Sequence, residues 1–221
     1  MKPLKFVHIP KCAGTSIEYI GKEKGLLWGI YDRELNRKEL AFKTLPVCHT
    51  PLSYFIDIQF VKDYLDKYDL FAVVRNPYTR CISTYFFNNR KGYYENNYTI
   101  ENMNKFIKEN LYENNYSYYG HFIPQYKFIY DQENQIVKHI LKFENINNEF
   151  IDLMKLYNLI DLTLDNIFMR STKNSIDKWD DFQKLYNVTN LYPETIDNIN
   201  KFYHLDFIYF NYDKLEHILK Q

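Results

Sequence analysis

The stretch KFVHIPKCAGTSIEYI, residues 5–20, decides how this chain is read. A short apolar run at 6–9 meets Pro10. Lys11 follows, then small residues at Cys12, Ala13 and Gly14, hydroxyls at Thr15 and Ser16, and Ile17 and Ile20 at helical spacing. The pattern is strand, tight loop, helix N-terminus. Such a junction attracts anions, because N–H groups without intrahelical acceptors and the positive end of the helix dipole point out of it. It is not the nucleoside triphosphatase loop G-x-x-x-x-G-K-[ST], since its lysine precedes the only glycine and no strand-end aspartate suited to Mg²⁺ stands out. A purely local reading is open too: Thr15-x-x-Glu18 fits a capping box, and Lys11 fits a solvated turn.

A second segment, YDLFAVVRNPYTRCISTYF at 68–86, repeats this grammar. An apolar strand at 70–74 ends at Arg75. Asn76 suits a helix N-cap and Pro77 a first helical position. Ser83 falls about two turns into that helix, on the face shared with Thr79, Arg80 and Phe87. A guanidinium fixed at a strand end beside a helical hydroxyl can fork a second phosphate. The competing reading pairs Arg75 with a carboxylate and makes Ser83 a small packing residue.

Further strand signals lie at 4–9, 46–48 and 139–143. Helical patterns follow Gly14, cover about 57–67, restart at Asn76-Pro77, and run about 100–111, 145–157 and 193–203. Strands alternating with helices predict an α/β fold, a central parallel sheet flanked by helices, with ligands gathered at the carboxyl ends of the strands. At 221 residues the chain is expected to be one domain, with 88–120, polar and aromatic, as a lid or acceptor-side insertion. The formal net charge is zero, so an anion site must be local, and no global basic field argues for nucleic acid. No run of ~20 apolar residues is long enough to span a membrane. The N-terminus reads straight into a strand, without a signal-peptide core. The three cysteines, Cys12, Cys48 and Cys81, lack zinc-type pairing and fit reduced thiols. A cytoplasmic protein of microbial or viral origin is therefore expected. The 22 tyrosines, 17 phenylalanines and abundant Asn, Lys and Ile are read as compositional bias, which also devalues the three N-x-[ST] matches at Asn97, Asn115 and Asn187.

HIPKCAGTS is similar to the 5′-phosphosulfate loop of sulfotransferases, and VVRNPYTRCISTYF resembles their 3′-phosphate segment. HFIPQYKFI at 121–129 resembles the H-x-x-P-Q region of carbohydrate sulfotransferases. ILKFENI at 140–146 resembles their strand-Glu-Asn segment, and INKFYHLDFIYFNY at 199–212 their C-terminal Y-x-x-D-F-x-x-F-x-Y. These marks stand in family order and span nearly the whole chain. The resemblance implies a fold related to the P-loop nucleotide kinases and transfer of a sulfuryl group from 3′-phosphoadenosine 5′-phosphosulfate (PAPS), leaving the 3′,5′-bisphosphate PAP. No metal is required.

In that reading Lys11, Cys12, Ala13, Gly14, Thr15 and Ser16 hold the 5′-phosphosulfate. Lys11 faces the charge that grows on the leaving phosphate, which a kinase-type loop shares with Mg²⁺. Arg75 and Ser83 take the 3′-phosphate. Arg170, Thr172 and Lys173, in MRSTKNS at 169–175, reach phosphate or adenine. The acceptor hydroxyl needs a base. Of the histidines His8, His49, His121, His139, His204 and His217, His49 ends the strand-like LPVCH and is assigned as base, as in uronyl 2-O-sulfotransferases. With an ordinary histidine pKa, activity would rise through about 6–7. Glu18, one turn into the first helix, is the alternative base. His8 reads as a core residue, and His121 as a residue of the acceptor cleft. The acceptor is expected to be a carbohydrate, with Tyr93, Tyr94, Tyr116, Tyr118 and Tyr119 offering stacking faces. Two other readings stand beside this one: a nucleotide or nucleoside kinase, and a catalytically silent glycan- or nucleotide-binding module.

Overall fold

The computed structural model describes residues 1–39, 45–89, 99–113, 115, 117–164 and 187–216. Its centre is a parallel sheet of three strands, β1 (Leu4–Val7), β2 (Asp69–Val74) and β5 (His139–Lys142), with β2 in the middle. A two-residue antiparallel pair, β3 (Tyr130–Asp131) and β4 (Asn134–Gln135), stands apart. All six residues of β2 are buried, as its unbroken apolar run requires of a strand covered on both faces. A fully buried Val or Phe contributes roughly 1.5–3 kcal/mol relative to exposure. Register pairs Val7 with Ala72 and Val74 with Lys142, so the three carboxyl ends open on one edge.

The helices begin where their caps allow. Helix α1 (Gly14–Glu23) follows β1 directly. Asp57 caps α2 (Ile58–Lys67), accepting from the Phe60 N–H at 2.9 Å. Asn76 caps α3 (Pro77–Asn89), accepting from the Tyr78 N–H at 3.0 Å. Thr99 caps α4 (Ile100–Asn110). Short helices α5 (Ser117–Gly120) and α6 (Tyr126–Ile129) precede the β3–β4 pair, and α7 (Ile146–Leu156), α8 (Pro193–Phe202) and α9 (His204–Tyr209) follow β5. The parallel sheet with flanking helices is the fold that strand–helix alternation predicts.

One expectation needs correction. The 46–48 segment is not a strand: Val47–His49 is a single 3₁₀ turn, closed by His49 N–H to the Pro46 carbonyl at 2.9 Å. Pro46 and Pro51 bracket it, each lacking an N–H, so the apolar Val47 and Cys48 do not enter the sheet. Within 88–120, residues 100–110 form a packed helix. Met103, Phe106 and Ile107 give α4 an apolar stripe that buries against Tyr85, Phe86 and Phe122 in a second core. Residues 90–98 of that segment, with Tyr93 and Tyr94, lie outside the described residues, as do Tyr116 and the Tyr118 side chain.

Candidate active site

The carboxyl edge of the sheet carries a half-open cavity of about 180 Å³. Its floor comes from the loop after β1, the start of α1, the end of β2 and one face of α3. His8, Lys11, Ala13, Gly14, Thr15, Ser16, Arg75, Ser83, Phe87 and Phe143 line it, with His49 and His121 on one side. A wider groove of about 550 Å³ lies between α4, α6, α8 and α9, lined by Tyr112, Tyr126, Lys127 and Lys201, but it has no convergence of histidines with helix N–H groups. The smaller cavity is therefore the candidate site.

The loop is held in an unusual backbone. Lys11 and Ala13 adopt φ of 68° and 66°, the left-handed region that costs a non-glycine residue roughly 1–2 kcal/mol. Ser16 and Ile17 turn their N–H groups back to the Ala13 carbonyl. The N–H groups of Gly14 and Thr15, first in α1, have no intrahelical acceptor and belong to the cavity wall. A left-handed residue followed by helix N–H groups forms an anion-accepting concavity. Gly14 also has a steric reason to be glycine: a methyl there would overlap the His8 imidazole. Cys12, assigned to this loop from sequence, turns inward. It is fully buried, its thiol donates to the Pro10 carbonyl, and burial pushes its pKa up to about 11.

Arg75 is buried at the end of β2, its guanidinium flat over the Phe143 ring at 3.9 Å. Its Nε donates to Thr79 Oγ1 at 3.1 Å and its Nη1 to the Lys11 carbonyl at 3.1 Å, which ties the two anion segments together. Gln125 fixes the Arg75 backbone from both sides, accepting from its N–H and donating to its carbonyl at 2.8 Å each. Asp206 in turn accepts from the N–H groups of Gln125 and Tyr126 at 2.9 Å. Ser83 and Phe87 line the cavity with Arg75, as the helical spacing predicts. Arg80 does not share that face. It is buried on the other side of α3, donating from Nε to the Pro10 carbonyl at 3.1 Å and from Nη2 to the His121 and Ile123 carbonyls at 3.0 and 2.9 Å. The Lys11 ammonium lies over the Phe87 ring at 4.1 Å.

Three imidazoles stand in a row along one wall. His8 and His49 have ring centroids 4.5 Å apart, and His49 and His121 are 5.7 Å apart. His49 Nδ1–H donates to the Tyr119 carbonyl at 3.1 Å, which in the neutral ring leaves Nε2 without a proton. That carbonyl is aimed by two successive left-handed residues, Tyr119 (φ 58°) and Gly120 (φ 75°). Part of the His49 ring reaches the cavity, yet burial, with His8 and Lys11 acting in the same direction, pushes its pKa down to about 3. His121 is buried and held well below the ordinary histidine range by burial, then by Lys11 and His49. Its Nδ1 is buried and has no partner among the described residues, a cost of roughly 1–3 kcal/mol. No group of three or more His, Cys, Asp or Glu among the described residues is arranged to hold a metal ion.

His8 lies one residue past β1 and lines the cavity, where the sequence pattern reads it as core. Glu18 does not line the cavity. Its Oε1 accepts from His8 Nδ1 at 2.8 Å and from the Ile30 N–H at 2.8 Å, instead of closing a capping box. His139 sits at the opposite end of the sheet, bonded to Tyr157, and His204 bonds Lys214. Arg170, Thr172, Lys173 and His217 lie outside the described residues. Phe143, Gln125 and Asp206 had no sequence assignment; their signals were the ILKFENI, H-x-x-P-Q and D-F marks at 140–146, 121–129 and 206–207.

The neutral imidazoles set an acid limit on stability. For His49 and His121 the folded state binds a proton more weakly than the unfolded chain. Above about pH 6.5 neither state is protonated there and stability is unaffected. As pH falls below that, the unfolded chain takes up protons first and stability drops. The melting temperature should fall between pH 6.5 and 5, and His49→Gln should flatten part of that slope in a thermal scan across pH.

A model described as Sulfotransferase family matches residues 2–213 of the chain. No curated protein and no solved structure matches it.

Proposed function

The chain belongs to the sulfotransferase family, whose chemistry is sulfuryl transfer, and from that premise we propose that it moves a sulfuryl group from PAPS to a carbohydrate hydroxyl, with His49 as base. The observation that carries the proposal is the convergence, in one cavity, of two anion-binding segments and a neutral imidazole. The residues fit an anionic donor: helix N–H groups of Gly14 and Thr15, the Thr15 and Ser16 hydroxyls, and two cations already seated on aromatic rings. A volume of about 180 Å³ suits the phosphosulfate end rather than a whole nucleotide. PAPS supplies the sulfuryl group and a bisphosphate leaving group. Lys11 faces the charge that develops on the leaving phosphate, and Arg75 with Ser83 holds the 3′-phosphate. His49 Nε2 removes the acceptor proton. His121, which lines the same cavity, is on the acceptor side. Arg170, Thr172 and Lys173, outside the described residues, remain the assignment for phosphate or adenine.

Donor choice separates this reading from a kinase. PAP should stabilise the protein without Mg²⁺, and ATP and AMP should do so less. Arg75→Ala removes a charge-assisted contact worth roughly 1.5–3 kcal/mol, about 10–150-fold in PAP affinity. Metal-free thermal-shift titration measures all four. Equal binding of ATP, or an unchanged Arg75→Ala affinity, sinks the 3′-phosphate assignment. A silent binding module would bind PAP and turn over no acceptor.

A further inference from the structure

Gln125 does not line the cavity, yet it bonds to both anion-binding segments that do. The sheet pairs Val7 with Ala72 and Val74 with Lys142, so both ladders stop short of Arg75. The Arg75 backbone N–H and carbonyl are left over at the end of β2. The Gln125 side-chain amide takes both: Oε1 accepts from the N–H and Nε2 donates to the carbonyl, at 2.8 Å each. It stands where the peptide of a neighbouring strand would stand. The same Oε1 lies 3.4 Å from the Cys12 thiol in the loop after β1, sharing its proton with the Pro10 carbonyl. The same Nε2 lies 3.3 Å from Asp206 Oδ2, which also accepts from the Gln125 N–H at 2.9 Å. A primary amide offers two donors and two acceptor positions, and here all four are used. An ionised glutamate would lose both donors, and a methionine all four contacts. Gln125 is fully buried, so water does not replace a bond that is lost.

We propose that Gln125 is the positioning residue that gives the cavity its preference for a 3′,5′-bisphosphate over a 5′-monophosphate. The inference rests on the donor reading above. Thr79, the Lys11 carbonyl and the Phe143 ring hold the Arg75 guanidinium, but they act on the far end of the side chain. The near end is the Arg75 backbone, whose place beyond the two ladders depends on Gln125. Through Cys12 the same amide sets the distance from that backbone to the 5′-phosphate loop, and Asp206 anchors the amide to α9. Two phosphates on one ribose have a fixed spacing. A site preorganised to that spacing binds them as a pair, without an ordering cost at the moment of binding. A 5′-monophosphate meets the loop alone and is indifferent to where Arg75 stands.

The test compares PAP with AMP by metal-free calorimetry of the full chain. The parent should bind PAP at least about 10-fold more tightly than AMP. Gln125→Met keeps the side-chain volume and removes the four contacts. It should cut that preference by about 5-fold or more, with AMP affinity within about 3-fold of the parent. In an Arg75→Ala background the same change should leave PAP affinity within about 3-fold, because the contact it supports is already gone. A general loss of folding weakens PAP and AMP alike and leaves the preference intact. An intact preference in Gln125→Met therefore overturns the inference. If that variant does not fold, the parent decides. The Arg75 N–H exchanges with solvent only when its bond to Gln125 opens, so PAP should slow its hydrogen exchange several-fold more than AMP at equal saturation. Equal slowing overturns the inference. A parent that binds AMP as tightly as PAP overturns the donor reading, and this inference with it, before any variant is made.

Discussion

His49→Ala should lower kcat by roughly 10²–10⁴-fold, the range for loss of a general base, and leave PAP affinity nearly intact. His49 lines one wall of the cavity, whereas the proposed anion cradle is built by other residues. The pH profile sharpens this expectation. The base works when neutral, so activity is lost as pH falls through its pKa. An ordinary histidine would place that limb at about 6–7. Burial, His8 and Lys11 push His49 down to about 3, so kcat/KM of the free enzyme should stay flat from pH 8 to about 5. A limb at 6–7 that survives in His49→Ala would remove His49 from the reaction and return the base to the Glu18 side of the wall.

Lys11→Ala should lower kcat by roughly 10²–10³-fold, the scale for removing one group that stabilises developing charge in a water-poor site. PAP affinity should fall too, because the bound phosphate is already anionic, but by less, since Arg75 and the helix N–H groups still hold it. Lys11 leans on Phe87, and its left-handed φ of 68° sets the direction of its side chain. Lys11→Arg should therefore recover only part of the loss, since a planar fork cannot reproduce a point charge at one oxygen. Loss of PAP affinity with kcat unchanged would mean that Lys11 binds ground state and transition state alike.

The sheet was legible because 70–74 is an unbroken apolar run and three of the helix starts carry their own cap, Asp57, Asn76 and Thr99. The anion loop was legible because proline, lysine and small residues before a helical pattern leave the chain little else to form. Other features were not local. Nothing around Val47 and Cys48 separates a short buried strand from a turn between two prolines. A histidine after a strand pattern does not announce that the strand stops one residue earlier, nor that its carboxylate lies ten residues on, at Glu18. Arg80 misled because neighbours on a helix differ by about 100°. Thr79 and Ser83 keep the cavity face, while the next residue swings into the interior, where only tertiary carbonyls can receive it.

That inward guanidinium has a consequence for motion. Arg80 fastens the Pro10 carbonyl of the anion loop to the His121 and Ile123 carbonyls of a distant segment. Charge-assisted bonds to buried carbonyls are costly to break singly, since each leaves a desolvated group behind. The loop after β1 and the wall that carries His121 should therefore open as one cooperative unit rather than separately. On the proposed function, ligand entry should use parts of the rim that Arg80 does not fasten, and the cavity groups should keep their spacing while it happens.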